Sequence, residues 1–118
     1  MSYDIDLVDK ITGRPVKVDR HEEGGTYAIG GIEEASLNVT YNYAEFFYSS
    51  IFDPEKGIRW LYGKKAKDCI DRLSVAVMAL GTEQDPDYWK ATPGNAGYAL
   101  SILLRWARQW PDAVFEGD

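Results

Sequence analysis

Residues Ala35-Ser36-Leu37-Asn38-Val39-Thr40-Tyr41-Asn42 alternate without a break. Ala35, Leu37, Val39 and Tyr41 fall on one side, and Ser36, Asn38, Thr40 and Asn42 on the other. A period of two is the signature of a strand with one buried face. Directly after Asn42 the period changes. Tyr43-Ala44-Glu45-Phe46-Phe47-Tyr48 reads as a short aromatic helix that ends before Asp53-Pro54, and the apolar residues beyond it recur at helical spacing. Position 42 therefore divides the chain into a strand-forming part and a helix-forming part. That order predicts an α+β fold, in which a small antiparallel sheet from the N-terminal part packs against C-terminal helices.

Upstream, Tyr3, Ile5 and Leu7 alternate with Asp4, Asp6 and Val8. Asp9-Lys10-Ile11-Thr12-Gly13 has turn chemistry, and Val16 and Val18 follow in a second alternating run. A β-hairpin with an acidic outer face is expected here. His21 to Gly25 reads as a polar loop and Thr26 to Gly30 as a short strand. Downstream, Gly57 to Gly63 fits one or two helical turns. A longer helix is expected from about Lys64 to Leu80, with Ala66, Cys69, Ile70, Leu73, Val77 and Leu80 on its apolar face and Gly81 as the C′ residue. Glu83 to Asp87 form a connecting loop. The last helix runs from Pro93 to about Gln109, with Ala96, Ala99, Leu100, Leu103, Trp106 and Trp110 as its core stripe and Pro111 as its stop. Asp112 to Asp118 form a short acidic tail.

The chain has 118 residues and a hydrophobic fraction of 45%, enough for one compact domain spanning 1–118. Thirteen basic against nineteen acidic residues give a net charge of −6. Such a surface disfavours nucleic-acid backbones and anionic membranes. The only cysteine is Cys69, so no disulfide can form within the chain and a reducing, cytoplasmic setting is expected. Residues 1–6 do not read as a signal peptide, and no apolar run has the length of a membrane span. Sixteen aromatics, four of them Trp, are many for one small core. Phe46-Phe47-Tyr48 and Trp60-Leu61-Tyr62 place them on adjacent helical positions that face different ways. Some should reach the surface, and a homo-oligomer is expected.

The residues for most catalytic constellations are missing. His21 is the only histidine and reads as a solvated loop residue, short of the ligands a transition metal needs. Cys69 falls on an apolar helical stripe, which suits an inert thiol. There is no Gly-x-Ser-x-Gly elbow and no phosphate-binding glycine motif. Neither a cofactor nor an enzymatic activity is expected.

The stretch Asp87-Tyr88-Trp89-Lys90-Ala91-Thr92-Pro93-Gly94-Asn95-Ala96 is the main candidate site. Thr92 suits an N-cap and Pro93 the first helical position. Gly94 leaves the first-turn N–H groups uncovered and Asn95 adds an amide. Such a helix start can hold an anion, or it can be a helix start and nothing more. Tyr88 and Trp89 offer stacking surfaces, although a Trp is more often a core anchor. Arg59, Lys64 and Lys65 could neutralise phosphate. Asn42 is either an N-cap at the strand-to-helix junction or an amide facing the same cleft as Asn95, next to Tyr43. The uncharged row Ser36, Asn38, Thr40 and Asn42 is either a solvated face with ladder hydrogen bonds or a ligand surface.

In Gly25-Thr26-Tyr27, Asn38-Val39-Thr40-Tyr41-Asn42-Tyr43, Gly57-Ile58-Arg59, Leu61-Tyr62-Gly63, Tyr88-Trp89, Gly94-Asn95-Ala96 and Gly117-Asp118, the chain resembles small bacteriophage and mobile-element proteins of no established activity. The resemblance covers most of the length and carries over no catalytic residues. It implies a counter-defence role by analogy of setting. The expected form of that role is sequestration of a nucleotide-like signalling ligand at Thr92 to Asn95. The alternative is an acidic inhibitor that mimics nucleic acid or occludes a host protein. A structural or assembly protein is a third reading.

Overall fold

The uncharged alternating stretch forms an edge strand of a three-stranded antiparallel sheet. The structure, a computed structural model, describes the backbone of residues 1–23 and 28–118 and the side chains of residues 1–19 and 33–118. Strand β1 (Ser2–Val8) lies at the centre of the sheet, flanked by β4 (Ser36–Thr40) and β5 (Val114–Gly117). The register sets Tyr3 opposite Val39, Ile5 opposite Leu37 and Leu7 opposite Phe115. Opposed residues share a face, so all six point into the core, and none is more than 2% exposed.

The expected hairpin from residue 3 to residue 18 forms only at its turn. The Asp9 carboxylate accepts from the N–H groups of Ile11 and Thr12 at 2.8 and 3.1 Å. Gly13 supplies the positive φ of 71°, and Val16 N–H still reaches Leu7 O. Beyond that point β4 and β5 hold both edges of β1. The chain therefore continues as β2 (Lys17–Glu23), which pairs with β3 (Ala28–Glu34) in a separate two-stranded sheet. Strand structure thus extends through His21 to Glu23, which read as loop. Residues 24–27, with Gly25-Thr26-Tyr27, lie outside the described backbone, and the His21 side chain lies outside the described side chains. The tail supplies β5 and is no loose end: the Gly63–Lys65 segment also bonds to it, with Phe115 N–H on Lys64 O.

The helical half follows the apolar spacing closely. Short α1 (Ala44–Phe47) follows a single 3-10 turn at Tyr41–Tyr43. The cap of that turn is Thr40, whose Oγ1 accepts from Asn42 N–H at 3.2 Å. Asn42 is therefore not the cap, because the junction is set two residues earlier. The helix expected over 64–80 begins with a 3-10 turn at Ala66–Asp68 and becomes α2 (Ile70–Leu80), closed by Gly81 at φ 77°. Helix α3 (Pro93–Gln109) has the expected bounds. It packs on α2, and Gly97 sits against Gly81 at their crossing. Leu73, Leu100, Leu103 and Trp106 are buried as expected. Val77 is only partly buried because it lines the α2–α3 seam. Trp110 is 38% exposed, since its indole N–H donates to Lys17 O at 2.8 Å instead of entering the core.

Candidate functional site

The candidate residues around the last helix do meet, but largely by bonding to one another. Thr92 caps α3: its Oγ1 accepts from Asn95 N–H at 3.1 Å, and its carbonyl accepts from Ala96 N–H at 3.1 Å. Asn95 is 2% exposed. Its Oδ1 accepts from Asp85 N–H at 2.9 Å, and its Nδ2 donates to Asp87 O and Lys90 O at 3.1 and 2.9 Å. The space over Gly94 is filled by the chain itself, for a Cβ there would lie 1.8 Å from Glu83 O. The missing side chain thus admits the 81–92 loop, and the first turn of α3 is covered by that loop.

Two further side chains hold the same loop from the sheet side. Asn42 Nδ2 donates to Trp89 O at 2.8 Å, and Tyr43 O–H donates to Tyr88 O. Tyr43 is buried, and burial pushes its hydroxyl up to about 12. Trp89 is no core anchor: it is 47% exposed, with the Tyr88 ring at 5.2 Å between centroids. Arg59 stands apart from the loop. Its Nη2 donates to Tyr41 O–H at 3.1 Å and its Nε to Asp118 O at 3.0 Å, and it lies 4.9 Å from the Tyr3 ring. Lys64 caps the Trp60 face at 4.4 Å. The expected ligand set therefore falls into two groups, the residues in and around the 81–92 loop and a separate arginine–tyrosine cluster.

Within the uncharged row, Asn38 bonds across to β1. Asn38 Nδ2 donates to Ser2 Oγ at 2.6 Å and to Asp4 Oδ1 at 2.7 Å.

The acidic residues give the more coherent arrangement. Asp4 and Asp6 lie on the outer face of β1, and register places Glu116 opposite Asp6. Asp118, two residues on, accepts from Asp4 N–H at 3.0 Å through its carboxylate, while its carbonyl accepts from Arg59 Nε. Three carboxylates from β1 and β5 thus share one sheet face, with that of Asp118 at its rim. Strands β1, β4 and β5 carry no Lys or Arg, and none of the three ion pairs among the described residues touches this face. The alternation shows the outward Asp4 and Asp6; nothing in the tail's four-residue strand announces that Glu116 joins them.

Cys69 is fully buried, and burial pushes its thiol up to about 11, which leaves little nucleophilic thiolate near neutrality. Among the described residues no cluster of His, Cys, Asp and Glu is placed to hold a metal ion, and no helix is long and apolar enough to cross a membrane. No family model matches the chain, and no curated protein or solved structure is significantly similar to it.

Proposed function

We propose that this is a non-catalytic binding protein that docks a basic surface of a partner protein on the outer face of its sheet. The observation that carries the reading is the convergence of Asp4, Asp6 and Glu116 on a face whose strands have no cation, with Asp118 at its rim. Along a strand, alternate side chains stand about 6.6 Å apart, and opposed ones about 5 Å. This yields a two-dimensional array of negative charge on a rigid support. Such an array speeds encounter with a basic partner and selects against acidic ones. In the setting implied by the sequence resemblance, the partner is a host protein that is occluded. The helix-start ligand reading loses support because the amide of Asn95 is already fully bonded and Glu83 O occupies the space over Gly94.

The test is amide shift mapping by NMR with a decalysine peptide at low salt. Shifts should centre on Asp4, Asp6, Asn38 and Glu116, fade as salt rises, and largely vanish in the Asp4→Asn, Asp6→Asn, Glu116→Gln triple variant. Shifts centred on the 81–92 loop, or spread evenly over every carboxylate, would overturn the reading.

A further inference from the structure

A groove runs along the exposed seam between α2 and α3. It is lined by Val77, Thr82, Tyr98, Ser101, Leu104, Arg105 and Arg108. Its lining holds two guanidinium groups and no carboxylate, in a chain where acids outnumber bases by nineteen to thirteen. Both arginines are exposed, and neither makes a hydrogen bond or ion pair with a described residue. Arg59 and Arg72, by contrast, are tied to Tyr41 and Asp53. Tyr98, Ser101, Arg105 and Arg108 follow at spacings of three, four and three, which sets them in one stripe along α3. The Ser101 hydroxyl donates to Tyr98 O at 2.6 Å and keeps acceptor capacity toward the groove.

From this arrangement we infer that the seam binds a nucleotide: a planar ring on Tyr98 and a pyrophosphate group on Arg105 and Arg108. At 1.5 Å per residue, Tyr98 stands about 10 Å from Arg105 and about 15 Å from Arg108 along the axis. The stacking surface and the cations are thus separated as the two ends of an extended nucleotide are. Guanidinium groups meet phosphate oxygens bidentately and favour such ligands over simple anions. The overall negative charge does not prevent this, because screening at physiological ionic strength limits charge effects to about 8 Å. The inference is independent of the acidic-face reading, which concerns a different surface.

Calorimetry with ADP and with inorganic pyrophosphate at physiological ionic strength tests it. ADP should bind more tightly than pyrophosphate. Tyr98→Ala should weaken ADP by about fivefold or more, the low end of base–aromatic stacking, and leave pyrophosphate unchanged. Tyr98→Phe keeps the ring and should bind ADP like the parent protein, which separates stacking from loss of packing. Arg105→Ala with Arg108→Ala should weaken both ligands at least about tenfold. Replacing both arginines by Lys should retain weaker binding. The Asp4→Asn, Asp6→Asn, Glu116→Gln variant should bind ADP as the parent does, so this inference and the proposed function fail separately. No ADP binding, equal affinity for ADP and pyrophosphate, or full affinity in the double Ala variant would overturn the inference.

Discussion

Asn95 bonds to three residues of one loop at once, through Asp85, Asp87 and Lys90. Asn95→Ala removes three hydrogen bonds made by a buried amide and should therefore cost about 1–3 kcal/mol. It should also speed hydrogen exchange at Asp85 N–H, whose acceptor is lost; unchanged exchange there would refute the clamp. The Thr-Pro-Gly-Asn order at 92–95 was legible as a helix start, because cap chemistry is local. The destination of the Asn95 amide was not, because spacing along a helix cannot say whether the chain's own backbone or a ligand fills the space beside it. A second residue-scale prediction concerns Cys69. Its thiol titrates near 9.0 when unfolded and at about 11 when folded. Below pH 9 both states keep the proton. Between pH 9 and 11 only the unfolded chain ionises, so stability falls as pH rises. Denaturant midpoints measured from pH 8 to 11 should fall less steeply in Cys69→Ala.

At the scale of elements, the packing of α2 on α3 turns on Gly97. An alanine Cβ there would lie 1.8 Å from Gly81 O and 3.0 Å from Leu80 Cβ. Helix propensity favours Ala over Gly by about 1 kcal/mol, but the overlap should reverse that sign. Gly97→Ala is expected to lower stability by about 1–3 kcal/mol, checked by urea denaturation. Phe115 offers a second test. It is fully buried within the segment expected as a short acidic tail. Phe115→Ala should cost about 3–5 kcal/mol, whereas a free tail would lose within about 0.5 kcal/mol. Helix α3 could be bounded from the sequence because Thr92 and Pro111 punctuate it. Strand β5 could not, because four residues carry too short a period and its partner strand lies at the other end of the chain.

For the molecule as a whole, charge and stability are set against each other on the acidic face. Asp6 and Glu116 are directly opposed across β1 and β5, and like charges so placed repel. Glu116→Gln should raise stability by about 0.2–1 kcal/mol at low salt. The gain should shrink toward zero at 1 M salt, where the screening length is about 3 Å. Thermal melts at the two ionic strengths would check it. The α+β class was legible at this scale from the switch of period at position 42. The gathering of acids was not, because it depends on strand order, which hydrophobic alternation leaves open.

The central position of β1 also bears on the order of events in time. It is synthesised well before β5, so Ile5 must wait for Gly117 and Leu7 for Phe115. At about 5–20 residues per second, synthesis of the chain takes roughly 6–24 s. Through most of that interval the future middle of the sheet has one side without its native neighbour, and α2 can coil well before the strand that closes the core exists. Folding of this sheet should be a race between native closure and mispairing, decided by the arrival of β5.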